Sequence, residues 1–327
     1  MNACMANADI SVVVLTYNPD LNDLKKTLRS IMLQDGVDFE IVIADDGSKN
    51  NLSEEIKQYF AKFGFTRYQL ALNEVNHGTV INVISGVEKS SGKYIKLISP
   101  GDYLYDTDTL KVMFDFAEKN NAPMVFGDIL FFDSNKEEFT VLKKSALPHT
   151  TKCYEAKSYN PDAIKSNNLI VYDNIHGVST LVEKTVFTKY LKMIEGKSVY
   201  CEDLAYRHMA YDEVKMLYCH HPVAMYGFGF GISTGTNDKW AQRILNDLQA
   251  SNKVMMQSFN PDNRMDKLLK QALEERYSGE SQKTKKFFLK HPSLLIKRLS
   301  IQWFPRSSTL EYNESFVSKV LDTETGL

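Results

Sequence analysis

Two nearly unbroken apolar runs lie close together early in the chain, Ile10-Ser11-Val12-Val13-Val14-Leu15-Thr16 and Ile41-Val42-Ile43-Ala44. Both are rich in β-branched residues, as strands covered on two faces tend to be. Between them, residues 21–31 carry apolar side chains at helical spacing, after a turn at Pro19-Asp20 and before a stop at Gln34-Asp35-Gly36. The alternation continues with a helix at 53–63 stopped by Gly64, a strand at 68–72 and a helix at 79–89. A strand at 93–98, a helix at about 107–120 and a strand at 124–126 follow. This β-α-β-α order predicts a mostly parallel sheet with right-handed crossovers. From 127 to 168 the pattern weakens into short strands and polar loops. Strand or loop is expected at 172–181, helix at 183–191 and 200–210, and mostly helix after Ile232.

In an open parallel sheet, ligands bind beyond the carboxyl ends of the strands. Thr16, Tyr17 and Asn18 follow the first run, and Asp45-Asp46-Gly47-Ser48 the second, so they are expected to meet at one rim. Acids and small polar groups there suit the base and ribose hydroxyls of a nucleotide. The plainer reading of Asp46-Gly47 is a turn or helix cap, and that of Tyr17 is ordinary core.

Composition removes several classes. The net charge of −2 over 327 residues gives no reason to expect a nucleic-acid partner. Cys4, Cys153, Cys201 and Cys219 are far apart, which argues against a zinc site or a disulfide framework and fits a reducing cytosol. No run approaches the roughly 20 apolar residues of a membrane span. Residues 1–9 lack the basic and long apolar parts of a secretory signal, so the expected location is cytoplasmic.

Further motifs follow in order: Asn76-His77-Gly78 with Asn82, Ser90-Ser91-Gly92-Lys93-Tyr94-Ile95, Gly101-Asp102 and Glu202-Asp203. With the two strand-end motifs they cover about residues 9–235, and the ordered set resembles the family 2 glycosyltransferases of the GT-A fold, which use nucleotide sugars. The resemblance implies an α/β, Rossmann-like, mostly parallel central sheet flanked by helices, with a helical C-terminal extension. It implies a catalytic domain over 1–235, with a nucleotide-sugar half at about 9–126 and an acceptor half at about 127–235, and a helical region over 236–327.

By the same resemblance, Thr16, Tyr17, Asn18, Asp45, Asp46, Asn76, Gly78, Asn82, Ser99, Gly101 and Asp102 hold the nucleotide sugar. Asp45 would accept the uracil N–H, and Asp46 ribose or nearby backbone donors. Gly78 would let backbone approach the nucleotide, with Asn82 one turn further facing the same cavity. His77 reads as an exposed loop histidine. Family members usually carry an Asp-x-Asp motif that chelates Mg²⁺ or Mn²⁺; here the segment is Ser99-Pro100-Gly101-Asp102, and only Asp102 remains. The implied cofactor is a divalent cation held by Asp102, substrate phosphates and water. The alternative is stabilisation of the diphosphate by lysine, arginine or backbone N–H groups. Asp106 and Asp108 read as caps of the next helix.

Glu202-Asp203 resembles the family's catalytic pair, with Asp203 as base for an inverting transfer and Glu202 orienting the site. The bland reading places both acids in a helix's first turn, where the dipole favours them. His176 either meets a donor or acceptor sugar or is structural, and 226–234, with Ser233 and Thr234, is either a flap over the diphosphate or a connecting loop. The implied partners are a UDP-sugar and a glycan, lipid-linked or glycoprotein acceptor of bacterial surface-polysaccharide or glycoprotein assembly. The rival is a catalytically inactive nucleotide-sugar-binding partner of another transferase. Residues 283–306 combine basic charge with bulky apolar groups and no acid. Such a stretch rests on the inner face of the cell membrane or docks on its own domain or on a second copy of the chain.

Overall fold

The computed structural model describes residues 7–50, 52–229 and 238–326. The first half alternates as the pattern predicts: β1 (Ile10–Thr16), α1 (Leu21–Met32), β2 (Phe39–Asp45), α2 (Ser53–Lys62), β3 (Tyr68–Leu72), α3 (Thr79–Lys89) and β4 (Tyr94–Ile98). These strands lie in the order β3-β2-β1-β4 and every neighbouring pair is parallel. Their unbroken apolar character has a direct cause. Val12, Val14, Ile41 and Ile43 pack with Leu24, Leu28 and Ile31 of α1, while Val13, Val42 and Ala44 pack with Val80, Val83 and Val87 of α3. Both faces are therefore covered, and burying such side chains supplies most of the local driving force.

Beyond this half the sheet is mixed. Next come β5 (Tyr103–Leu104), α4 (Thr109–Asn120), β6 (Met124–Asp133), β7 (Val141–Leu142), α5 (Pro161–Lys165), β8 (Thr180–Glu183), α6 (Lys184–Ile194), α7 (Leu204–Tyr211) and β9 (Met216–Phe228). The sheet runs on from β4 through β8, β6 and β9 to β5; β4–β8, β6–β8 and β5–β9 are antiparallel and β6–β9 is parallel. The result is an α/β fold whose parallel half is the nucleotide-type sheet expected from the pattern. Two expectations change here. The strand beginning at Met124 continues to Asp133, and Tyr226-Gly227-Phe228 ends the thirteen-residue strand β9 and is not loop. Ser233 and Thr234 lie outside the described residues.

The C-terminal helices are α8 (Asp238–Met256), α9 (Arg264–Gln271), α10 (Ser281–Lys290), α11 (Pro292–Trp303) and α12 (Glu314–Leu321). Leu248, Met255, Leu269 and Phe287 enter the same core as α3, α6 and α7. At the far end, the fully buried Arg29 of α1 donates to the carbonyls of Lys319 (2.8 Å), Thr325 (2.9 Å) and Gly326 (2.7 Å), closing the chain's end onto the first helix.

Candidate active site

The parallel register brings Thr16 beside Asp45 at the carboxyl ends of β1 and β2. The Asp45 carboxylate accepts from the Thr16 hydroxyl (2.8 Å), the Ser48 N–H (2.8 Å) and the Ser48 hydroxyl (2.6 Å). A carboxylate has about four acceptor positions, so one stays open at this half-buried group. Asn18 adopts a left-handed conformation (φ 45°); its N–H donates to Ser48 Oγ (2.7 Å) and its Oδ1 accepts from the Lys49 N–H (2.9 Å). Tyr17 between them is 53% exposed, so its ring forms a free wall at the rim and not core.

Asp46 turns the other way. It is buried, and its oxygens accept the backbone N–H groups of His77 (2.9 Å) and Gly78 (2.8 Å) and the Asn73 amide (3.3 Å). Its work is to hold the 73–78 loop against the strand end. Gly47 is required because a Cβ there would stand 2.4 Å from the Val75 carbonyl carbon. Asn76 and His77 are exposed on this loop.

Two expectations are corrected. Gly78 (φ 93°) is packed by protein, since a Cβ there would meet Val199 Cγ1 at 2.4 Å. Asn82, buried in α3, donates to the carbonyl of Ala44 (2.9 Å) and, more weakly, to that of Thr16 (3.4 Å). Its amide N–H groups thus tie together the ends of β1 and β2, while its buried Oδ1 has no partner among the described residues.

At the end of β4, Ser99 is exposed, and nothing lies within 4 Å of where a Gly101 side chain would begin. Asp102 is buried and its Oδ1 accepts the Gly227 N–H (3.0 Å). Near it lies Lys96, fully buried in β4, whose ammonium donates to the carbonyls of Leu97 (3.2 Å) and Val178. Burial pulls Lys96 down to about 7 against the Asp102 charge, and burial pushes Asp102 up to about 7 against the Gly227 bond and Lys96. Among the described residues no three His, Cys, Asp or Glu groups converge to hold a metal. Among the described residues the Asp102 carboxylate accepts only that one bond, and a single carboxylate fits the sparse way Mg²⁺ is held beside substrate phosphates and waters.

Glu202 and Asp203 lead into α7, with Asp203 at its N-cap. Glu202 Oε1 lies 3.5 Å from the point a Gly177 side chain would occupy, so the carboxyl faces the 176–177 backbone. Burial and the adjacent Asp203 push Glu202 up to about 8. Burial also raises Asp203, but the Arg207 guanidinium one turn along α7 opposes the shift. Of the two, only Asp203 has a neighbouring cation that favours its charged form. His176 is packed against Phe131 (5.9 Å) and Tyr226 (6.2 Å); burial, then Arg306 and His149, hold it down at about 4, so it is neutral at pH 7.

The loop before the pair is joined through backbone to the start of α3, next to the 73–78 loop that Asp46 holds: the Val80 N–H donates to the Val199 carbonyl (3.1 Å). The 198–200 loop is fixed from behind by Asp247 of α8, whose Oδ2 accepts Ser198 Oγ–H (3.0 Å), Val199 N–H (2.9 Å) and Tyr200 N–H (2.6 Å). Asp247→Ala should lower kcat roughly 100-fold with a smaller change in donor KM, because it loosens the loop before Glu202 while the Asp45 bonds to Thr16 and Ser48 stay in place. Steady-state kinetics check this, and Asp247→Asn should recover part of the loss.

Lys96 and Asp247 escape motif reading. The signal for Lys96 is a lone cation inside the apolar strand Tyr94-Ile95-Lys96-Leu97-Ile98; Asp247, one polar residue among many on a helix, has none.

The model of the glycosyl transferase family 2 matches residues 11–184, just over half of the chain. An uncharacterised glycosyltransferase of Methanocaldococcus jannaschii is 31% identical over 152 residues, which are 46% of this chain and 50% of that protein. The uncharacterised glycosyltransferase YibD of Escherichia coli is 32% identical over 106 residues, 32% of this chain and 30% of that protein. The chain thus spans half or less of these relatives. The crystal structure of S. aureus TarS 1–349 in complex with UDP-GlcNAc superposes with a TM-score of 0.58 at 15% identity, covering 91% of this chain and 82% of that one. The complex of the same protein with UDP gives 0.53 at 13% identity over 91% and 81%. The likeness places this sheet in the GT-A class. With its fold, its strand-end motifs and the family match in agreement, the chain belongs to glycosyl transferase family 2.

Proposed function

We propose that this glycosyltransferase moves a sugar, with inversion, from a UDP-sugar to a hydroxyl of a glycan, lipid-linked or protein-linked acceptor in surface-polysaccharide or glycoprotein assembly. The observation that carries the reading is the backbone bond from Val80 to Val199, which fixes the loop before Glu202-Asp203 to the start of α3, beside the 77–78 backbone that Asp46 holds. A structural neighbour that binds UDP and UDP-GlcNAc supports the donor class. The nucleotide rests on Tyr17, with the open position of Asp45 for the uracil N–H. Asp203 accepts the acceptor's proton as that oxygen bonds to the anomeric carbon, and UDP departs from the opposite face with the bonding pair. Glu202 stays protonated near pH 7 and orients the acceptor, and His176 borders the sugar as a neutral imidazole. Asp102 would hold Mn²⁺ or Mg²⁺, which offsets the charge of the leaving diphosphate.

The division at about residue 235 is read as functional, with the nucleotide half ahead of the acceptor half and the C-terminal helices supporting the latter. No helix among the described residues is long and apolar enough to cross a membrane. Phe287 and Phe288 are buried, so α10 docks on the catalytic domain. Leu289 (77% exposed), Ile296 (67%), Trp303 (69%) and Phe304 (80%) face outward, and we assign them to the inner membrane surface. Sedimentation with anionic vesicles should therefore fall several-fold in Trp303→Ser/Phe304→Ser; unchanged sedimentation would refute the contact.

The test of function is nucleotide release from a panel of UDP- and GDP-sugars, with Mn²⁺ and with EDTA. Release from one UDP-sugar, lost in EDTA, is expected. Release from GDP-sugars alone would overturn the donor assignment.

A further inference from the structure

A cleft of about 220 Å³ opens between α11 and the segment before β8, lined by His149, Tyr172, Asp173, Arg276, Arg298 and Gln302 among others. Two arginines, Arg276 and Arg298, line it, and the buried Arg207 of α7 lies behind the same tyrosines. Arg207 of α7 and Arg276 approach the exposed Tyr172 ring at 5.7 and 5.8 Å, and they approach Tyr277 at 5.1 and 4.4 Å. Arg298 of α11 lies 5.0 Å from the Phe288 ring, which Arg276 also approaches at 5.8 Å. Contact with an aromatic face leaves the in-plane N–H donors of a guanidinium free.

Those donors are under-used. Arg276 donates one N–H to the Val171 carbonyl (3.0 Å), and its buried Nε has no partner among the described residues; Arg207 behind it is more fully used, donating to the Asn168 carbonyl and, at 3.5 Å, to Asn252 Oδ1. Among the described residues, Arg298 makes no hydrogen bond, and none of the three arginines forms an ion pair with a carboxylate. The one acid lining the cleft, Asp173, already accepts the N–H groups of His149 (2.6 Å) and Thr150 (3.0 Å). Arg276 is held below its usual range by burial and by the charges of Arg298 and Arg207. Arg207 has Asp203 as a nearby opposite charge, whereas among the described residues no carboxylate pairs with Arg276 or Arg298, and these two call for an anion from outside.

The cleft lies near the acid pair, since Tyr172, which lines it, feels the Asp203 charge. Two guanidinium forks lining one cleft match a tetrahedral, multiply charged oxyanion, and an exposed tyrosine beside them suits a sugar or alkyl stem. We propose that this cleft binds a phosphate group carried by the acceptor, as a phosphate ester or diphosphate. The inference rests on the transferase reading above for the word acceptor; the anion site itself stands on the arginine cluster.

The test is calorimetric titration of inorganic pyrophosphate into the full-length protein saturated with UDP, which fills the donor site. Binding is expected, weakened about tenfold in Arg298→Gln and less in Arg298→Lys. UDP affinity and thermal midpoint should be unchanged in both. Absence of pyrophosphate binding, displacement of UDP by pyrophosphate, or equal binding by Arg298→Gln would overturn the site. Should UDP itself fail to bind, the donor reading falls, and pyrophosphate titrated into wild type and Arg298→Gln without UDP still decides the cleft. Vesicles of phosphatidylglycerol against phosphatidylcholine, beside a soluble glycerol phosphodiester, then separate the sources. Arg298-dependent binding to the anionic vesicles alone assigns a lipid-borne phosphate, and binding to the soluble diester assigns a polymer-borne one.

Discussion

Asp203→Asn should bind UDP as tightly as wild type and transfer sugar roughly 10³-fold more slowly, within the range removed with a general base. The substitution keeps the size of the side chain and the N-cap position of α7, so the fold should be unaffected. The rim holding Thr16, Tyr17 and Asp45 lies on other elements and keeps its bonds. Glu202→Gln provides the contrast. Its pKa of about 8 means that Glu202 already carries a proton at pH 7, so the amide is a close mimic and most activity should survive. Burial has raised this acid above its unfolded value, so its ionisation opposes folding as pH rises from about 4.5 through 8. Glu202→Gln should therefore melt higher than wild type at pH 9 and alike at pH 4. Two titrations in one pair are macroscopic, and the pH–rate profile should lose its acid limb only in Asp203→Asn. Loss of activity in Glu202→Gln with survival in Asp203→Asn would exchange the two roles.

The parallel half of the sheet was legible because local and global requirements agree there. The β-branched runs of β1 and β2 are buried on both faces, so the pattern could not belong to a half-exposed strand. The second half was obscure for a physical reason. In β9, Cys219, His220, His221 and Pro222 interrupt the apolar residues, and register shifts between Phe126 and Ile129 accommodate them. The pairing across β6 overrides a weak local preference. At the site, motif spacing located the rim and the acid pair but not the direction in which each side chain turns. Asp45 and Asp46 are adjacent in sequence and, on a strand end, point to opposite sides; one faces Thr16 and Ser48 and the other the 73–78 loop. Asn82 sits at the spacing for a shared face with Gly78 yet is taken by the carbonyl of Ala44. Asp247 acts across 48 residues of sequence, a separation that no local pattern encodes.

Asp102→Asn should cost transfer about 10²–10³-fold and abolish the effect of Mn²⁺ on UDP affinity, because one protein oxygen carries the cation's attachment. The amide oxygen can still accept the Gly227 N–H, so the junction between β9 and the 99–102 loop should hold and the thermal midpoint should change little. Lys96 makes this a sharper experiment. A buried amine beside the same carboxylate, held down to about 7, is protonated part of the time at pH 7 and, when charged near the expected diphosphate, offers the metal-free alternative. Its hydrogen bonds go to the carbonyls of Leu97 and Val178, so it is anchored in the sheet and acts on a ligand only through its field. If the cation supplies the stabilisation, Lys96→Met should keep transfer and bind Mn²⁺ more tightly, because a competing charge is gone. If Lys96 supplies it, transfer should persist in EDTA and in Asp102→Asn and disappear in Lys96→Met. The open space at Gly101 and the exposed Ser99 favour the first outcome, since they leave room for a hydrated cation in the segment that carries Asp102, whereas the Lys96 donors are engaged by the Leu97 and Val178 carbonyls.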